Sequence, residues 1–221
     1  MAAFGSHGNS FRRGNDGAGY PERFAAPFGM LLGKGASVTD TDGQGSAEDA
    51  PRFARRVPDG DDHARDVCVR CGFIDYQNPK IVTGSVASAP DGRILLCKRA
   101  IEPRAGFWTL PAGYMEMGES VEDAARREAR EEAGANLSLD RVLAIYSVPR
   151  IGQVQVMFRA RLENPDTIEA GIESEAVALV AYEDVPWEDL AFPTVRWALR
   201  QWRGVEGQRD FAVFGNPAEG V

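Results

Sequence analysis

The 221-residue chain is 43% hydrophobic and 26% charged, apolar material for one ordinary globular domain with length to spare. Its net charge of -8 and isoelectric point near 4.9 argue against a protein whose main task is gripping polyanionic nucleic acid. The longest apolar runs, 94–97 and 176–182, fall far short of the roughly 20 residues a membrane-spanning helix needs, so no membrane partner is expected.

Taken in chain order, residues 1–50 are rich in Gly, Ser, Asp and Asn and show neither a period of two nor one of 3.6, the composition of a disordered tail. The apolar patch 24–32 reads as part of that tail; a targeting or docking segment, or sequence upstream of a start at Met30, are the alternatives. Residues 51–78 carry Cys68-Val69-Arg70-Cys71-Gly72. From Lys80 the texture changes: a β-rich run at 81–87, the turn Pro90-Asp91-Gly92 and a second apolar run at 94–97 predict a hairpin. A short strand is expected at 107–110 before Pro111, a helix from Ser120, then strands at 137–148, 154–162 and 177–182. Val195, Leu199 and Trp202 recur at spacings of four and three after Pro193, which predicts a closing amphipathic helix, with 206–221 as a C-terminal tail. Strands on both sides of one well-marked helix imply an α+β or α/β sandwich rather than a doubly wound sheet.

The three cysteines, Cys68, Cys71 and Cys97, leave an odd one, and no stretch has the pattern of a secretory signal. A reducing, cytoplasmic location is therefore expected. The only histidines, His7 and His63, precede the proposed catalytic domain, so carboxylates must carry any acid, base or metal chemistry.

Such carboxylates are concentrated in 113–134, GYMEMGESVEDAARREAREEAG. Ser120 is a good N-cap with Asp123 three residues on, and Gly134 suits the left-handed cap that ends a helix. Glu128, Glu131 and Glu132 stand at i, i+3 and i+4, which puts three like charges on one face. Repulsion at that spacing, and acids facing the negative helix end, cost roughly 0.3 to 1 kcal/mol each. Arg126, Arg127 and Arg130 supply part of the compensation, and a cluster of hard oxygens is also what Mg²⁺ or Mn²⁺ requires. A solvated, salt-laced helix face is the competing reading.

The whole stretch resembles the Nudix box, G-x5-E-x7-R-E-U-x-E-E-x-G-U, with U a bulky aliphatic. Gly113, Glu119, Arg127, Glu128, Glu131, Glu132 and Gly134 fill every charged and glycine position. With each residue type at about 7% abundance, seven such matches arise by chance on the order of 10⁻⁸ per register. Ala129 and Ala135 occupy the two U positions, a departure that touches packing and not chemistry.

The resemblance implies an α/β/α sandwich with a mixed sheet over about 79–205, an α/β fold, and a divalent metal cofactor, Mg²⁺ or Mn²⁺ in its place. It implies Glu128 and Glu132 as leading metal ligands, Glu131 as ligand or helper, and a backbone carbonyl near Ala112 or Gly113. Arg127 would orient the carboxylates and Glu119 would pair with it. A diphosphate repels a nucleophile, so metal must neutralise its oxygens and lower the pKa of the attacking water. A base from a later loop is common in the family; Glu173 and Glu175 are the candidates here, Glu173 preferred. Arg99 and Arg104 suit phosphate contacts. Phe107, Trp108 and Tyr146 could stack a nucleobase or serve as core.

The order of the Cys68-x2-Cys71 knuckle, Tyr76-Gln77-Asn78-Pro79-Lys80, Trp108-Thr109-Leu110-Pro111 and Asp189-Leu190-Ala191-Phe192-Pro193 resembles the Nudix subfamily with an N-terminal zinc ribbon, over about 57–202. A structural zinc needs four ligands, no cysteine precedes Arg55, and His63 is a poor substitute. The segment 51–78 therefore reads as a degenerate ribbon, or an N-terminus that has lost its first knuckle, with no structural zinc expected. Cys97 reads as a buried small hydrophobe.

That subfamily acts on dinucleotide diphosphates such as FAD and ADP-ribose, which would yield AMP plus FMN or ribose 5-phosphate. The resemblance thus implies a small-molecule nucleotide substrate, and assembly as a homodimer. NADH or another nucleotide of the same class is the alternative substrate, although the SQPWPFPxS motif of the NADH-cleaving group is absent. A nucleotide-sensing Nudix domain is the non-catalytic rival, opposed by the intact box and the lack of a basic helical segment. A nucleic-acid module built on the ribbon is opposed by net charge.

Overall fold

The computed structural model describes residues 52–218; the expectations for 1–50 lie outside the described residues. Three short strands come first: β1 (Phe53–Arg56), β2 (Arg65–Cys68) and β3 (Ile74–Asp75) form an antiparallel sheet in the order β1-β2-β3. Arg65 fastens this small sheet, pairing with Asp61 at 2.9 Å and lying over the Tyr76 ring at 5.3 Å. Sequence patterning misses these strands because they are two to four residues long and only partly covered.

The main sheet contains β4 (Lys80–Ser88), β5 (Ile94–Arg99), β6 (Trp108–Thr109), β7 (Ala112–Tyr114), β8 (Leu137–Val148), β9 (Gln153–Leu162) and β10 (Ser174–Val180). Its order is β10-β5-β4-β9-β8, with β6 on β5 and β7 on β4. Strands β4 and β9 are parallel, and the other pairings are antiparallel, so the sheet is mixed. The expected hairpin is a correction in part: β4 and β5 pair only at Ser88 and Ile94, and then part. Strands β6 and β7 satisfy the backbone groups that the parting exposes, which is how the segment before the helix enters the sheet.

Alternation along β4 and β5 builds two cores. Val86, Ile94 and Leu96 pack with Val195, Ala198, Leu199 and Trp202 of α2 (Pro193–Gly204). Ala87, Leu95 and Cys97 pack on the other face with Ala129 and Ala133 of α1 (Val121–Ala133). One helix on each face gives the expected α/β/α sandwich. Ala129 and Ala135, at the two box positions where bulky aliphatics are usual, are fully buried among Ala87, Ala89 and Ala160. Small residues on both sides let the helix backbone approach the sheet closely.

The C-terminal segment differs from the expected tail. Phe214 bridges to Ala144, bonds its N–H to the Leu143 carbonyl at 2.9 Å and receives the Ile145 N–H at 2.9 Å. Asn216 exchanges hydrogen bonds with the Ser147 backbone at 2.9 and 2.7 Å. The segment thereby covers part of the open edge of β8, backbone pairing that composition alone does not reveal. No helix among the described residues is long and apolar enough to cross a membrane.

Candidate active site

Helix α1 is fixed at both ends before it presents any chemistry. Ser120 accepts the Asp123 N–H at 3.1 Å, and Gly134, at φ 58°, donates to the Arg130 carbonyl at 2.9 Å. The loop ahead of it is pinned through Arg127, whose Nε and Nη2 reach Glu119 at 2.6 and 3.2 Å, while Nη2 also donates to the Tyr114 carbonyl at 2.9 Å. Nη1 donates to Glu128 at 2.7 Å and Glu131 at 2.8 Å. A guanidinium has five N–H groups, and here each has a partner, so Arg127 is a strut between β7, the loop and the helix.

The three box glutamates lie on one helix face but differ in burial. Glu131 swings out to Arg127 and its side chain is 59% exposed, whereas Glu128 and Glu132 turn inward and are buried. Glu128 lies across Gly113 so closely that a Cβ there would meet its Oε2 at 2.3 Å. This is the steric reason for glycine at that position. Glu132 accepts the Ala112 N–H at 3.3 Å and has no ion pair among the described residues. Burial pushes the Glu132 carboxyl up to about 8, against that hydrogen bond, with the neighbouring Glu128 charge adding to the rise. Glu128 is raised by burial too, and Arg127 opposes the rise.

The later loop reaches this pair because of a second close approach. Gly171 donates to the Glu132 carbonyl at 3.1 Å, and a Cβ on it would lie 1.7 Å from the Glu131 carbonyl oxygen. Glu173 follows, held by the Ala100 N–H bond to its carbonyl at 2.8 Å, and its charge raises both Glu128 and Glu132. Glu175 instead pairs with Lys98 at 3.3 Å. Of the two loop acids, Glu173 is the one that acts on the buried carboxylates.

Two buried carboxylates on successive turns of one helix face, raised in pKa by burial and adjoining the backbone of 112–113, fit a hard divalent cation. The tightest acidic group among the described residues is elsewhere, at Asp61, Asp62 and His63 in the β1–β2 turn. Those side chains already engage Arg65 and one another, and we assign them no metal.

The remaining expected contacts divide. Arg99 lies over Phe192 at 5.4 Å, and its charge draws Glu132 downward, so it borders the carboxylates. Arg104 is exposed over Phe107 at 4.9 Å. Trp108 packs against the α2-side core and its carbonyl receives the Ala191 N–H at 2.8 Å. Of its two readings Tyr146 takes the core one: the ring is fully buried, edge-on to Trp197 at 5.4 Å, with its hydroxyl on Gln201 at 2.5 Å. Tyr146→Phe is expected to cost about 1 kcal/mol in denaturant unfolding and to leave KM unchanged; a raised KM would return the ring to the substrate.

Sequence reading named a carbonyl near Ala112 or Gly113 but missed the Ala112 N–H that holds Glu132, and it missed the close approach of Gly171, since both parts are played by backbone. A cleft of about 840 Å³ lies near Ser88, some 16 Å along β4 from Thr83 by strand rise. Arginines line it, but Arg141 and Arg159 are engaged by Asp210 and Asp140.

The comparisons fit this geometry. Residues 79–202 match the NUDIX domain, and residues 50–77 match the Nudix N-terminal zinc-ribbon family. The chain belongs to the NUDIX family. A NUDIX hydrolase crystal structure from Nitrosomonas europaea matches with a TM-score of 0.70 and 38% identity, covering 77% of this chain and 97% of that one. An ADP-ribose pyrophosphatase structure from Streptococcus suis matches with a TM-score of 0.52 and 25% identity, over 63% of this chain and 100% of that one. Among curated sequences, an ADP-ribose pyrophosphatase of Methanocaldococcus jannaschii is 38% identical over 34% of this chain and 43% of its own length. A Haemophilus influenzae protein named NAD-capped RNA hydrolase NudC is 34% identical over 32% of this chain and 27% of its own. This NUDIX chain thus spans less than half the length of either curated relative. Within its ribbon, Cys68 stands opposite Phe53, three residue pairs from the Arg56–Arg65 end, next to which the His63 turn begins. His63 therefore does not adjoin the knuckle, and the whole chain contains one further cysteine, Cys97, buried in the main sheet.

Proposed function

We propose that the protein hydrolyses the diphosphate bond of a nucleoside diphosphate derivative, with ADP-ribose or FAD as the favoured substrate. The observation that carries this reading is the buried Glu128–Glu132 pair set beside the 112–113 backbone, with Arg127 bound to Glu128 and no ion pair to Glu132 among the described residues. Glu128 and Glu132, with a carbonyl of Ala112 or Gly113, would hold Mg²⁺ or Mn²⁺. When bound, such an ion would neutralise diphosphate oxygens and lower the pKa of water beside them.

The chain's own residues supply the rest. Glu173 accepts the proton of the attacking water, whose oxygen bonds to phosphorus as the bridging P–O bond breaks and the second phosphate leaves. Arg127 orients Glu128 and Glu131, Glu119 holds Arg127 in place, and Arg99 meets substrate phosphate. ADP-ribose would give AMP and ribose 5-phosphate, and FAD would give AMP and FMN. The relatives named ADP-ribose pyrophosphatase support that choice; NADH remains the alternative, and the relative named NAD-capped RNA hydrolase adds NAD-capped RNA to the substrates to test.

We further read the ribbon as zinc-free, the enzyme as a cytoplasmic homodimer, and nucleic acid as no partner. The deciding experiment incubates purified protein with Mg²⁺ or Mn²⁺ and ADP-ribose, FAD, NADH, diadenosine polyphosphates, nucleoside triphosphates or an NAD-capped RNA, with products resolved by chromatography. Metal-dependent AMP release from at least one dinucleotide is expected, and no cleavage of any dinucleotide would refute the reading. Metal analysis of the same preparation should find no stoichiometric zinc.

A further inference from the structure

We propose that Thr83 and Ser85, two buried hydroxyls on β4, are positioning residues for Glu128 and Glu132 when these hold a cation. Both side chains are fully buried, and Thr83 Oγ1 and Ser85 Oγ have no hydrogen-bond partner among the described residues. An orphaned hydroxyl in a protein interior costs roughly 1–3 kcal/mol, so two in one strand call for a reason.

The register shows what they face. Thr83 stands opposite Gly113, and paired residues on antiparallel strands point to the same side of a sheet. The Cβ direction at Gly113 runs into the Glu128 carboxylate, so the Thr83 side chain rises on that side. Gly84 confirms the alternation, because a Cβ there would strike Ala112 Cβ at 2.5 Å and Met157 at 3.1 Å, within the core of the α2 face.

Cross-strand Cβ positions are about 5 Å apart, so a Thr83 hydroxyl turned toward Gly113 comes within hydrogen-bonding reach of the carboxylate above it. Ser85 is two residues farther along the same face, with its N–H on the Pro111 carbonyl at 3.2 Å, next to the Ala112 N–H that holds Glu132. The spacing matches: Glu128 to Glu132 is a rise of about 6 Å along the helix, and Thr83 to Ser85 is about 6.6 Å along the strand. One hydroxyl therefore lies beneath each carboxylate.

The inference rests on the metal-binding reading of Glu128 and Glu132. A hydroxyl donating to the inner oxygen of an ionised carboxylate leaves the outer oxygen for the cation and fixes its direction, and loss of such supporting bonds commonly weakens metal binding 10- to 100-fold.

The test measures Mn²⁺ affinity, by electron paramagnetic resonance of the free ion, and thermal unfolding without metal, for full-length wild type, Thr83→Val, Thr83→Ser and Ser85→Ala. Thr83→Val is expected to bind Mn²⁺ at least about 10-fold more weakly, with an unchanged or higher metal-free melting temperature, and Thr83→Ser is expected to restore affinity. Ser85→Ala should weaken binding in the same sense, and tests the idea independently if Thr83→Val does not fold. Wild-type Mn²⁺ affinity in the folded variants would overturn the proposal, as would a fall in metal-free melting temperature with no loss of affinity. Wild-type protein that takes up no Mn²⁺, or Glu132→Gln that takes it up normally, would instead remove the metal reading beneath it.

Discussion

Glu132→Gln is expected to lower turnover at least about 100-fold, the scale on which one charge-stabilising group acts, and to abolish stoichiometric Mn²⁺ uptake. The same substitution should stabilise the metal-free protein. Burial lifts the Glu132 carboxyl from the usual 4.5 to about 8. Between those pH values the native state holds a proton that the unfolded chain has released, so stability falls as pH rises through the window. Gln keeps an oxygen for the Ala112 N–H and carries no charge. At pH 8 without metal it should therefore gain on the order of 3 kcal/mol, or roughly 5–10 °C in melting temperature. Adding Mg²⁺ should raise the melting temperature of wild type and not of the variant. Calorimetry across pH 5 to 8, paired with turnover, checks both parts. Wild-type turnover in a folded variant would take Glu132 out of the metal site.

Gly171→Ala is expected to damage the site without touching an ionisable group. Its new methyl would have to displace the Glu131 carbonyl oxygen from 1.7 Å, and both sides of that contact are backbone, so no side chain can give way. Either the end of α1 or the Glu173 loop must move. A loss of about 2–4 kcal/mol in unfolding free energy is expected, the range of named steric defects. Turnover should fall by about 100-fold because a shift near 1 Å misplaces the base. Mn²⁺ affinity should fall much less than in Glu132→Gln, since both carboxylates stay in place and their Gly113 and Ala112 contacts are with the helix's other neighbour, β7. A fully active, fully stable Gly171→Ala protein would show that the loop does not need this contact.

The helix was legible because its determinants are local. Ser120, Gly134 and the Ala-rich inward face mark its start, end and orientation within fifteen residues, and the strands 137–148 and 153–162 are long enough to show their pattern. Tyr146 and Trp108 were not legible, since an aromatic ring in a strand reads the same whether it faces a ligand or a core; only the opposing Trp197 and Gln201, 51 and 55 residues away, decide it for Tyr146. The C-terminal segment misled for a similar reason, because the β8 edge that gives Phe214 its backbone partners is far away in sequence.

By itself the sequence determined which carboxylates are available, that they lie on one short capped helix, and that carboxylates rather than histidines must do the chemistry. Spacing along a helix is a local property, so those statements needed no fold. Tertiary structure decided which of the glutamates are buried, that Arg127 bridges Glu128 and Glu131, and that the Glu173 charge acts on the buried pair while Glu175 pairs with Lys98. It also put two buried hydroxyls of β4 on the sheet face that carries the helix. Charge, burial and reach depend on what neighbouring elements bring to the same few ångströms, and those neighbours come from β4, β7 and the 171–175 loop, none of which the helix sequence encodes.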